Sequence, residues 1–131
     1  GPLSTQWHER LEDMVQIRDS LVSNLGRGED CSVVWEKGSQ MAAQMGYEEH
    51  LMGMVPDQAK FLGHSVGLEL DESPVIARGF DRALGIGGTM AVEPKVIYPD
   101  GAIGTEDTWF RSKDGMECLT MGDSFPMFTE W

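Results

Sequence analysis

Apolar residues recur at three- and four-residue intervals through the first stretch of the chain. Trp7, Leu11, Met14, Val15, Leu21, Val22 and Leu25 form this series, with Glu9, Arg10, Glu12, Asp13, Arg18 and Asp19 mostly between them. The spacing predicts an amphipathic helix with its charged residues on the outer face. Gly26 and Gly28 end it, and Asp30 is placed to accept hydrogen bonds from the first free amides of a second helix. That helix carries Val34, Met41, Ala42 and Met45 on one side and stops at Gly46. Its interior Gly38 costs about 1 kcal/mol relative to alanine, so either the helix is short or a neighbour approaches closely there. Residues 47–60 read as a loop with one helical turn, in which Met52, Met54 and Val55 are expected to be buried and Pro56-Asp57 forms a turn.

From Phe61 onward the helical period fades, and glycine, proline and β-prone residues take over. Strands are expected over 66–70, 89–98, 104–112 and 117–120. Pro99-Asp100-Gly101 and Lys113-Asp114-Gly115 are turn signals, the second joining its flanking strands into a hairpin. Gly85-Ile86-Gly87-Gly88 precedes a strand rather than opening a helix, so it reads as a turn and not as a phosphate loop. Helices followed by strands predict an α+β fold, with the helices on one face of a mostly antiparallel sheet.

Composition narrows the partners. The 131 residues suffice for one core, and 10 Lys+Arg against 22 Asp+Glu give a formal charge of −12. That charge repels a phosphate backbone and an anionic lipid surface alike, so nucleic acid and membrane are excluded as expected partners. The longest apolar runs, such as Val33-Val34-Trp35, are far too short to span a bilayer. Two distant cysteines, Cys31 and Cys118, form neither a disulfide framework nor a thiolate zinc site; they read as reduced thiols in a cytoplasmic protein. Gly1-Pro2-Leu3-Ser4 resembles the scar of a cleaved purification tag, so residues 1–4 are set aside and 5–131 are taken as an excised piece of a longer protein.

Most of the carboxylates are solvated surface, but a few stand out by context. His64 lies between Gly63 and Gly67, Glu93 follows the apolar run Thr89-Met90-Ala91-Val92 and precedes Pro94, and Glu106 lies beside Asp107 in the next strand. A carboxylate within a buried strand is costly unless paired or bound to a cation. One histidine and two strand carboxylates suit Mn²⁺, Fe²⁺, Co²⁺ or Zn²⁺. His8 and His50 read as exposed or locally bonded, the nine methionines as core filler or partner-facing surface, and Trp109 and Phe110 as core or substrate-side residues.

The order of these residues adds a resemblance. Gly63-His64-Ser65-Val66-Gly67-Leu68-Glu69, then Asp71-Glu72-Ser73-Pro74, then Met90-Ala91-Val92-Glu93-Pro94, then Gly104-Thr105-Glu106-Asp107-Thr108, and then Asp114-Gly115-Met116-Glu117-Cys118-Leu119-Thr120 resemble the C-terminal half of the pita-bread metallopeptidases. That family comprises methionine aminopeptidase, Xaa-Pro aminopeptidase, prolidase and the non-peptidase creatinase; the likeness is greatest to the Xaa-Pro branch. It implies half of the curved pita-bread sheet and a site with two divalent ions, Mn or Co foremost and Zn or Fe as further candidates. His64, Glu93 and Glu106 match the family's metal ligands, with Glu93 also handling the proton of an attacking water that bridges the metals. Two further Asp ligands belong upstream of the first helix, so the piece alone is expected to hold metal weakly and to be inactive. The implied substrate is a peptide with proline after the scissile bond, and a homodimer is implied. Asp71 stands where most relatives carry a second His that donates to substrate, and Lys60 where prolidases often have another. An ionised Asp cannot donate a hydrogen bond. A non-catalytic relative, or one with creatinase-like chemistry, is therefore the alternative.

Overall fold

The computed structural model describes residues 4–67, 73–120 and 127–130. Helix α1 (Thr5–Gly26) is capped by Ser4, whose hydroxyl accepts from the Trp7 N–H at 3.3 Å. Of the expected series Trp7, Met14, Leu21, Val22 and Leu25 are buried, Leu11 and Val15 are half-buried, and Ile17, outside that series, is buried with them. Arg10 departs from that expectation: it is 8% exposed, its guanidinium 3.6 Å from the Tyr98 ring centre and 4.4 Å from that of Trp7. Stacking on two aromatic faces is what lets a cation on the supposed polar side be buried.

Helix α2 (Cys31–Gln44) buries Cys31, Val34, Gly38 and Ala42. The close approach is the correct reading of Gly38, since an added Cβ would stand 2.7 Å from Leu21 Cδ2 and 3.1 Å from Leu62 Cδ1. Asp30 occupies the N-cap position, but its side chain makes no capping bond. The Cys31 and Ser32 amides donate instead to the carbonyls of Arg82 (2.8 Å) and Phe80 (2.9 Å), so a neighbouring segment satisfies the helix start.

Eight strands follow: β1 (Phe61–Val66), β2 (Val75–Ala77), β3 (Thr89–Val92), β4 (Lys95–Tyr98), β5 (Gly101–Gly104), β6 (Asp107–Ser112), β7 (Gly115–Cys118) and β8 (Met127–Glu130). They form a five-stranded sheet in the order β2-β1-β3-β6-β7 and a three-stranded sheet in the order β4-β5-β8. Every pairing is antiparallel. Helix α1 packs on strands of both sheets and α2 packs on β1 and β2, which makes the fold α+β with helices laid on antiparallel sheet.

Several strand expectations are corrected. The strand expected at 66–70 begins earlier, at Phe61, because Gly63 through Val66 pair with β3; residues 68–72 lie outside the described residues. The span 89–98 is two strands in different sheets, divided at Glu93-Pro94, where proline has no N–H to continue the ladder. The strand expected at 104–112 begins only at Asp107, Gly104 being the last residue of β5, and the one expected at 117–120 is β7 at 115–118. Strands β2, β5 and β8 were not foreseen from the sequence. Both turn signals hold, each closing a hairpin, and 85–88 is a turn with Gly87 at φ +92°. Of the three residues of 47–60 expected to be buried, only Met52 is, drawn in where its N–H bonds the Lys95 carbonyl at 2.8 Å; Met54 and Val55 are exposed. Both cysteines are free thiols, and among the described residues no helix is long and apolar enough to cross a membrane.

Candidate metal centre

His64 is carried by β1, while Glu93 and Glu106 stand just beyond the ends of β3 and β6. The ladders determine how they meet. Val92 pairs with Asp107 across β3 and β6, so Glu93 and Glu106 occupy the next matched positions, where the two chains leave the five-stranded sheet. Gly63 pairs with Val92 and the Glu93 N–H bonds the Leu62 carbonyl at 3.0 Å, which brings β1 alongside. His64 Nε2 consequently lies 3.7 Å from a Glu93 carboxylate oxygen.

Burial holds the Glu93 carboxyl above the usual carboxylate range; the adjacent Glu106 carboxylate adds to the rise, and Lys95 and His64 oppose it. Glu93 is 8% exposed, whereas His64 and Glu106 are open to solvent. The structure thus brings Glu93 against both other expected ligands. Among the described residues, however, no group of three His, Cys, Asp or Glu side chains is gathered closely enough to hold a metal ion. Asp71 lies outside the described residues. Lys60 is exposed just before β1, where with Trp35 it lines a cleft of about 400 Å³ between α2 and the 48–62 segment; His64, Glu93 and Glu106 do not line it.

The donor chemistry fits a hard or borderline divalent cation. Two carboxylates at matched ladder positions, one of them desolvated, repel each other, and a cation is the group that relieves both costs. The Thr105 hydroxyl, between Gly104 and Glu106, is buried without a hydrogen-bond partner among the described residues.

Sequence reasoning missed the support beneath this array. Asp107 is buried and accepts from Arg18 of α1 at 3.4 Å and from the Thr120 hydroxyl at 3.3 Å. Its place beside Glu106 was visible, but nothing local in the sequence pairs it with a residue of the first helix. His50, expected to be exposed or locally bonded, is held by a distant strand instead: its Nδ1 lies 2.9 Å from the Ile97 carbonyl oxygen and its ring stacks on Tyr98.

Helices on antiparallel sheets, with a histidine and two carboxylates where the strands part, agree with the pita-bread fold that the motifs imply. The sequence profile of metallopeptidase family M24 matches residues 2–111, and the chain belongs to that family. Among solved structures it is similar to the X-Pro aminopeptidase from Thermotoga maritima, with 22% identity, TM-score 0.77, and 92% of this chain covering 32% of that one. It is similar also to the prolidase from Pyrococcus horikoshii, with 26% identity, TM-score 0.76, and 92% of this chain covering 33% of that one. The fold recurs in the N-terminal domain of FACT complex subunit SPT16 from chickpea, at 15% identity and TM-score 0.68, over 89% of this chain and 29% of that one. No curated protein matches the sequence. The chain spans about a third of the length of the two peptidase structures.

Proposed function

We propose that this chain is the C-terminal part of the catalytic domain of a metal-dependent Xaa-Pro peptidase, with His64, Glu93 and Glu106 as metal ligands. The observation that carries the reading is the meeting of a buried Glu93 with His64 and Glu106 at the end of the β3–β6 ladder. Divalent cations held there, Mn or Co foremost, would supply a Lewis acid for the scissile carbonyl and lower the pKa of the attacking water. Glu93 would accept the proton of the attacking water, as the resemblance implies, from a position against both other expected ligands. His64 and Glu106 bind and orient, and Asp71 is assigned the substrate-side role that the resemblance gives its position in the sequence. Further carboxylate ligands come from upstream of α1 in the parent protein. The 131-residue piece alone is therefore expected to bind Mn²⁺ more weakly than micromolar and to be inactive. The parent is read as a cytoplasmic homodimer.

The test is hydrolysis of an Xaa-Pro dipeptide by the full-length parent with Mn²⁺ or Co²⁺. Glu93→Gln is expected to lower kcat by about 10²–10⁴-fold with the fold intact, the range for loss of a general base. A second reading, a non-catalytic or creatinase-like relative, is favoured by Asp71 and Lys60 at positions where the resemblance implies histidine. No turnover with metal bound would favour a different substrate; neither turnover nor metal binding would favour the non-catalytic form.

A further inference from the structure

We propose that the buried Asp107–Arg18 pair is a positioning device for Glu106, fastening helix α1 to the strand that presents this ligand. The inference rests on the reading of Glu106 as a metal ligand.

The Asp107 side chain is 1% exposed and ionised carboxylates are costly at that depth, so its partners are not incidental. Arg18 Nη1 donates to one carboxylate oxygen at 3.4 Å, and the Thr120 hydroxyl donates to the other at 3.3 Å while accepting from the Thr108 N–H at 3.1 Å. The remaining guanidinium edge is held by Asp19, which takes Nε at 3.1 Å and Nη2 at 3.0 Å. One carboxylate therefore joins α1, β6 and the segment after β7.

Glu106 adjoins Asp107 where β6 begins, and the two differ sharply in burial. Asp107 is drawn down under α1, and Glu106 is exposed. Fixing the first thus constrains the second, and the Val92–Asp107 pairing passes that constraint to Glu93. A pair of apolar side chains would serve packing as well or better. What an ion pair with two hydrogen-bonded neighbours, Thr120 and Asp19, adds is a single orientation, which is what outer partners of metal ligands contribute.

The experiment uses the full-length parent, with free Mn²⁺ followed by electron paramagnetic resonance and the melting of the metal-free protein recorded in parallel. Asp107→Asn keeps the shape and the Thr120 bond but removes the charge; it is expected to weaken Mn²⁺ binding about 10–100-fold. Arg18→Gln should do the same, Arg18→Lys should recover part of the loss, and the double variant Arg18→Gln/Asp107→Asn should lose no more than the worse single one, because the two act as a unit. Lys37→Gln, which breaks an unrelated ion pair to Glu29 on the surface, should leave Mn²⁺ affinity unchanged. Lower melting with unaltered Mn²⁺ affinity in the Asp107 and Arg18 variants, or additive losses in the double variant, would overturn the proposal. If Asp107→Asn does not fold, Thr120→Val carries the test: weaker Mn²⁺ binding is expected, and unchanged binding overturns the proposal. An unsubstituted parent that takes up no Mn²⁺ would remove the metal site itself and this inference with it, an outcome read before any variant is made.

Discussion

At Gly63 an added Cβ would stand 2.5 Å from the Ala91 carbonyl oxygen and 2.8 Å from Ile76 Cδ1, so β1 runs closer to β3 than any side chain allows. The neighbouring His64 depends on that approach for its 3.7 Å distance to Glu93. Gly63→Ala is expected to cost about 1–3 kcal/mol, as overpacking does, measured as a lower urea midpoint at unchanged slope. The close approach at Gly63 and the convergence of His64 and Glu106 on Glu93 were legible in the sequence, because a glycine-flanked histidine and carboxylates beside apolar runs are each unusual. Arg10 and Asp107 were not. Both are charged residues whose burial depends on partners distant in the chain, Tyr98 for the one and Arg18 for the other, and periodicity alone assigns such residues to the surface.

Elements with a helical period were read nearly to their ends, whereas the strands were read as spans and misdivided. A β-run carries only its alternation, and the alternation does not say which sheet the chain joins; Glu93-Pro94 is where one apolar run passes from the five-stranded sheet to the three-stranded one. The start of α2 has a chemical consequence. Burial pushes the Cys31 thiol from 9.0 up to about 11, partly offset by a hydrogen bond from the Leu84 backbone. A thiol so raised is neutral and unreactive at pH 8. Cys118, half-buried on β7, is expected to take up a thiol reagent first, with Cys31 labelled only on unfolding, as mass spectrometry of the two peptides would record. The sign for stability follows from the same shift. The unfolded thiol ionises from about pH 9 while the folded one stays protonated, so stability falls between pH 9 and about 11; a denaturation series over that range should show a smaller loss in Cys31→Ala.

For the molecule as a whole, α1 is the common support, since it packs on strands of both sheets as well as on α2. Leu21 is fully buried in it, against Gly38. Leu21→Ala is expected to destabilise by about 2–5 kcal/mol. With one helix shared between two sheets, near- and far-ultraviolet circular dichroism should move together in a single transition; two separated transitions would mean that the sheets fold apart. The α+β class was legible from the change of texture at Phe61, but the presence of two sheets was not, because it depends on pairings between distant segments. The β4–β5 hairpin connects the two sheets to the site in a particular way. Its base, Lys95 opposite Gly104, is flanked by Pro94 and Thr105, which are joined by a 3.1 Å hydrogen bond, and its tip is the Pro99-Asp100 turn. Extra residues inserted at that tip would lengthen the outer end of a closed ladder and leave its root in step. The interval in sequence between Glu93 and Glu106 is thus uncoupled from their distance in space, so relatives of this chain can carry longer or shorter excursions there while keeping the same pair of carboxylates abreast.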